Sequence, residues 1–402
     1  MQTSLFDFAE DEDPLENEQD LSGSDFDQVR GISTFTTDWT VETILAQIDK
    51  GNILLDPRWQ RRDAWNISRK SDLIESVILN YPVPPIVLAE QKGQRGKYIV
   101  IDGKQRLLSL RQFAASSLDK NFKNFKLSEL PTLGRLRGFT YADMRDDPKM
   151  RMFVDQFENY PIRTVIVRGW DKESVLYSIF LRLNAGSAKL YPQELRQALH
   201  PGPFIDFIDD FAIGSREIQS ILGNRGPDFR MRDNELALRY FAFRNFISVY
   251  DGNLKLFLDY TVFDLNAKWA EWQHHIESQS RDFAAAYYFS TNVFNDGNPF
   301  KKFGRNGYEN RLNRAVFDIM MFSFSSGEIR DKLAGKEAML REAYENLCRD
   351  DVEFLSSLET TTKSVPATRK RFFSWASAVN RILGYQALNP HVSGQNLADA
   401  VA

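Results

Sequence analysis

The sequence predicts an α+β chain whose first part is built on a small mixed β-sheet and whose second part is entirely helical. Three observations carry that prediction. Short β-branched runs occur at residues 86–88, 98–101 and 163–167, and amphipathic stretches at helical spacing lie between them. Beyond about residue 204 the strand signals fade and long amphipathic segments dominate. With 402 residues, 43% of them hydrophobic and 13% aromatic, the chain has material for two or three domains with real cores. The expected organisation is a disordered leader over 1–30, an α/β domain over 31–205 and a helical domain over 206–402.

The leader is set apart by charge. Residues 1–30 hold ten acids and a single base, Arg30, with no periodicity. Without them the net charge of −4 becomes +5, from 50 basic and 45 acidic residues. An acidic tail on a mildly basic body suits a surface that binds something anionic; a solvated tail with no role fits equally well.

From about Phe35 short apolar runs begin to alternate with amphipathic segments. Leu73, Ile74, Val77 and Ile78 fall at helical spacing within residues 68–80, with Ser68 or Ser71 as N-cap. Pro82, Pro84 and Pro85 end that helix. A strand at 86–88, a turn at Gly93 to Gly96 and a strand at 98–101 then read as a β-hairpin packed on it. Asp102-Gly103 breaks the second strand, and KQRLLSLRQF (104–113) is helical in period. A buried strand follows at 163–167, then a helix at 172–183. A further helix is started by Pro192 in its first turn. In the second part helices are expected over 234–246, 267–288 and 313–324.

Several classes are excluded at once. There is no run of about 18 apolar residues, so no transmembrane helix is expected, and the start lacks a basic-then-apolar signal, so the expectation is a cytoplasmic protein. The one cysteine, Cys348, has no partner for a disulfide or metal clip and reads as an inert small residue.

Three segments carry chemistry. In YIVIDGKQRLLSL (98–110) a strand runs through Asp102-Gly103 into a helix opening with Lys104, Gln105 and Arg106. Unpaired amides and the positive dipole end at such a start suit a phosphate. Asp102 could hold Mg²⁺ and Arg106 could grip a phosphate through two hydrogen bonds. The plain alternative makes Asp102 an N-cap and Gly103 a turn residue. DPRWQRRDAW (56–65) interleaves Arg58, Arg61 and Arg62 with Trp59, Gln60 and Trp65, as a stacked, phosphate-bearing ligand would require. Buried tryptophans and salt-bridged arginines would explain it as well. FLRLNAGSAKLYPQELR (180–196) places Asn184, Gly186 and Ser187 in a polar loop that could close over a ligand, with Gln193 close behind.

Taken in order, an arginine-glutamine-arginine-tryptophan stretch, LIESVILNYPVPPIVL, IDGKQRLLSL and RLNAGSAKLYPQELRQAL resemble the ParB-like N-terminal module of GmrSD-type DNA restriction systems, over roughly residues 35–205. The resemblance implies a ParB/sulfiredoxin-like fold and nucleotide binding and hydrolysis centred on an aspartate-glycine-x-glutamine-arginine (DGQQR-type) motif. Carried over, it makes Asp102, Gln105 and Arg106 catalytic, Asp102 also the Mg²⁺ ligand, and Gly103, Lys104, Gln60, Arg61, Asn184 and Gly186 nucleotide-binding. Two motifs depart from the family pattern: Lys104 stands where glutamine is usual, and Asn184-Ala185-Gly186-Ser187 replaces asparagine-threonine-glycine-glycine.

Many members of that family end in an HNH nuclease domain. This chain has four histidines, and the pair in WQHHIESQS sits in a continuous helical pattern without a second ligand cluster, which argues against one. Basic–aromatic patches at 301–305, at Arg311 and Arg314, and at 369–373 could track a phosphate backbone if they share a face; solvated helix faces explain each of them too. The leading expectation is therefore an NTP-dependent regulatory or DNA-sensing component of a bacterial anti-phage restriction system, working with a separate nuclease or toxin subunit. A ParB-like module that itself cuts DNA and a non-catalytic adaptor remain as alternatives.

Overall fold

In the computed structural model the residues described are 31–55, 63–183, 192–294, 299–359 and 362–392. Contacts divide the chain into two units: one ends at Leu199 and also takes in Phe229–Met231, and the other comprises His200–Asp228 and the chain from Arg232 onward. The acidic leader lies outside the described residues.

The first unit opens with a strand that the apolar-run pattern does not reveal. Strand β1 (Ser33–Thr40) is rich in threonine, with Phe35 and Trp39 as its large side chains, and is exposed along most of its length. Such a composition favours extended structure without leaving an aliphatic signature. Thr40 then caps helix α1 (Val41–Asp49) by accepting from the Thr43 amide at 3.2 Å. After the short strand β2 (Ile53–Leu54) comes helix α2 (Ile67–Ile78). Its N-cap is Asn66, not Ser68 or Ser71, and accepts from the Arg69 amide at 2.9 Å. Ser71 is used inside the helix, donating to the Ile67 carbonyl and accepting from the Ser128 amide.

The expected hairpin is present as strands β3 (Ile86–Glu90) and β4 (Tyr98–Asp102), antiparallel with a bulge between Val87 and Leu88. Helices α3 (Lys104–Ala114), α4 (Tyr141–Asp146) and α5 (Arg151–Asn159) follow, then strand β5 (Pro161–Arg168) and helices α6 (Glu173–Leu183) and α7 (Pro192–Leu199). The sheet order is β1-β5-β3-β4-β2, with β5 parallel to β3, β2 parallel to β4, and β1 antiparallel to β5. The inner strands β3 and β4 are buried through 86–89 and 98–101, as continuous apolar runs covered by helices should be. Helices α1, α2, α3 and α5 pack on one another, and α6 and α7 pack against β4. Buried Glu75 on α2 accepts from the amides of Thr132 and Leu133 at 2.9 and 2.6 Å, pinning the irregular segment after α3 to this core.

The second unit is helical except for a small hairpin, which departs from the all-helical expectation. Its helices are α8 (Pro203–Gly214), α9 (Arg216–Leu222), α10 (Arg232–Phe246), α11 (Leu254–Ala267) and α12 (Trp269–Phe294). The hairpin β6 (Phe303–Gly304) and β7 (Gly307–Tyr308) comes next. Helices α13 (Arg314–Phe324), α14 (Gly327–Leu333), α15 (Glu337–Asp350), α16 (Val352–Glu359) and α17 (Val365–Leu383) complete it. Helices α10, α12 and α13 occupy the three expected segments. The core is rich in aromatic side chains and encloses ion pairs, among them Arg239 with Asp318 and Lys255 with Asp259. Cys348 is buried on α15, and burial pushes its thiol up to about 11, so it stays protonated and inert. Among the described residues no helix is long and apolar enough to cross a membrane.

Candidate functional site

The turn from β4 into α3 gathers the residues singled out by the ordered motifs. Strand β4 ends at Asp102, and Gly103 turns the chain with φ +93°, a conformation that disfavours side chains. A Cβ at Gly103 would also stand 2.6 Å from Ile86 Cγ2 on β3, so both backbone angle and packing require glycine. Gly103 is the N-cap of α3 and makes no side-chain cap hydrogen bond at the positive end of this eleven-residue helix.

Asp102 is not the N-cap. Its Oδ2 accepts from an Arg106 guanidinium nitrogen at 2.8 Å, and the same nitrogen donates to the Pro85 carbonyl at 2.9 Å. Arg106 therefore bridges the end of β4 and the entry to β3. Asp102 Oδ1 has no partner among the described residues. The Arg106 Nε and the Gln105 Oε1 are buried and unpartnered. Lys104 points elsewhere: its ammonium donates to Glu194 Oε1 on α7 at 2.6 Å, with both side chains more than nine-tenths buried. Beside Glu194, Gln193 accepts through Oε1 from buried Arg196, which directs its amide nitrogen away, and that nitrogen is buried without a partner. The polar start of α7 thus meets the polar start of α3.

This donor set suits a magnesium ion of one kind. Mg²⁺ commonly takes one or two carboxylates and completes its shell with water and phosphate oxygens, and one half-committed carboxylate beside an uncapped helix start matches that habit. Among the described residues, no group of three or more His, Cys, Asp or Glu side chains placed to hold a metal includes Asp102.

Gln60, Arg61, Asn184 and Gly186 lie outside the described residues, as do Arg58, Trp59 and Arg62. The chain on either side can be placed. Asp63 forms an ion pair with Lys70 on α2 and accepts from Gln112 on α3 at 3.3 Å, which ties Asp63 to the helix that carries the motif. Trp65 is half-buried, with the Arg69 guanidinium 4.7 Å over its ring. The Lys104–Glu194 contact spans 90 residues, and no local signal in the sequence announces it.

The basic patches of the second unit are largely spent on internal partners. Lys302 sits between Glu309 and Glu359, each at 2.6 Å, and Arg314 pairs with Glu235 at 3.2 Å. Lys370 bridges Asp351 and Glu353, Arg369 donates to the Val392 carbonyl, and Arg371 is buried against the Thr362 carbonyl. Arg305 and Arg311 remain exposed. His274 stands almost wholly in solvent and His275 bonds to Gln279 on the same helix, α12. No candidate metal-ligand group among the described residues includes either one.

The β4–α3 turn thus combines a glycine-bent helix start with an aspartate–arginine pair. Residues 41–201 match the family model described as the N-terminal domain of the GmrSD restriction endonuclease. The chain thus carries a GmrSD-type N-terminal domain, spanning α1 to α7 and including the whole β4–α3 site. No curated protein and no solved structure matches the chain.

Proposed function

We propose that this chain is a nucleotide-binding, NTP-hydrolysing regulatory component of a bacterial restriction system directed at phage DNA, and that cutting is done by a separate effector. The observation that carries the proposal is the β4–α3 turn, where the glycine-capped start of α3, the Asp102 carboxylate and the Arg106 guanidinium lie within five residues. The sheet-and-helix architecture is compatible with the ParB/sulfiredoxin-like fold that the sequence resemblance implies.

In this reading the α3 amides hold phosphate oxygens of the NTP. Asp102 would hold a magnesium ion, which when bound neutralises charge on those phosphates. Arg106, already aimed across the turn from the Pro85 side, stabilises the charge that develops on the departing phosphate. The unpartnered Gln105 Oε1 is the acceptor that orients the attacking water. Lys104, neutralised by Glu194, fixes the helix start rather than gripping phosphate.

The test is phosphate release by the purified chain with each NTP and Mg²⁺, with and without DNA. Asp102→Asn and Arg106→Ala should each lower turnover by about 100-fold or more. Absence of both turnover and nucleotide binding would remove this reading and leave a non-catalytic adaptor in its place.

A further inference from the structure

The second unit carries a groove unconnected with the β4–α3 turn. Helices α15 and α17 run antiparallel, tied at one end by Lys370 to Asp351 and Glu353 at 3.0 and 3.1 Å, and at the other by Lys336 to the Ile382 carbonyl at 3.3 Å. Between them lies an open groove of about 900 Å³. Its α15 wall presents Met339, Ala343, Leu347 and Asp350, successive positions on one helix face. The α17 wall presents Ser374, Ala378 and Ile382, again one face. Small residues at 343, 374 and 378 let another backbone come close, while Met339 and Val352, 53% and 77% exposed, stand at opposite ends.

We infer that this groove receives an amphipathic α-helix of a partner protein, one with a narrow apolar stripe flanked by lysine or arginine. Shape argues for a helix, because a trough between two antiparallel helices accepts a third whose anchors recur at i, i+4, i+7 and i+11. From Met339 to Asp350 the wall runs about 16 Å, room for roughly three turns. Charge selects the flanks. Glu342, Asp350, Asp351 and Glu353 face only Lys370 and Arg381 along the rim, and Lys370 is already committed to two of those acids. The same surplus rules out the chain's own leader, whose ten acids against one base would be repelled. The surface stands whether or not the first unit hydrolyses nucleotide.

The experiment uses the full chain and two fluorescent helical peptides of about 18 residues, identical in their leucine stripe, one flanked by lysine and the other by glutamate. At low salt, about 50 mM, the lysine peptide should bind one to one and about tenfold or more tighter than its glutamate analogue. Ala343→Trp, which fills the groove floor, should weaken that binding by about tenfold. Asp350→Lys with Glu353→Lys should reverse the preference between the peptides. Circular dichroism melts establish that each variant is folded. Equal binding of the two peptides, indifference to Ala343→Trp, or an unreversed preference would each overturn the proposal. So would self-association of the chain that Ala343→Trp abolishes, since the occupant would then be a second copy.

Discussion

At the scale of single residues, Gly103 is the position where the sequence spoke most directly. A glycine between a β-branched run and a helical period already implies an unusual turn, and the structure supplies both reasons at once, a positive φ and the close approach of Ile86. Gly103→Ala should therefore cost about 2–4 kcal/mol, from the left-handed backbone penalty plus overpacking, read as a lowered midpoint in urea. A loss below about 0.5 kcal/mol would mean that the turn relaxes freely. Asp102 was legible as an acid at this turn, but its engagement by Arg106, four residues on, was not. Period and spacing give the proximity of i and i+4 and leave open whether the pair prefers each other or a ligand.

At the scale of elements, the contact between α3 and α7 is what linear reading could not supply. Lys104 looked like a phosphate ligand because it opens a helix beside a glycine turn; 90 residues later Glu194 takes its charge. Burial makes this pair costly to break and cheap to replace. Lys104→Met alone should destabilise by about 3–5 kcal/mol through loss of this buried ion pair, and Lys104→Met with Glu194→Leu should recover most of that loss in a double-mutant cycle. The basic patches are likewise spent largely on internal partners, since Glu235, Glu359 and Asp351 reach them from elsewhere in the chain and Glu309 from seven residues on. Strand β1 escaped detection because an exposed edge needs no aliphatic run. Helix α15, by contrast, is amphipathic in the ordinary way, and it carries Cys348 inward. A thiol held near 11 should resist an alkylating reagent at pH 8 in the native chain and react within minutes once unfolded, as a mass-spectrometric time course can follow.

At the scale of the whole molecule, the α/β-then-helical plan was readable because buried strands and amphipathic helices write different periods into the sequence. Its response to acid depends on carboxylates that serve as staples. Asp119 feels burial, which acts to raise its pKa, yet the amides of Phe122 and Asn121 and the Arg111 guanidinium together bring it below the usual value. A carboxyl depressed in the folded state stabilises the fold above its unfolded pKa, about 3.9, and that stability is lost as pH falls through the folded value. Asp119→Asn should thus flatten the acid limb of stability below about pH 4 and lower stability at pH 7, measured by urea unfolding across that range.

The pairing of β1 with β5 sets a timetable for synthesis. Thr40 leaves the ribosome long before Arg168, its strand's partner end, and at about 5–20 residues per second the wait is roughly 6–25 seconds. Through that interval β1 lacks β5, the strand it pairs with, while β3 and β4, made close together, can already zip. Synthesis order thus lets the middle of the sheet pair before β1 is seated.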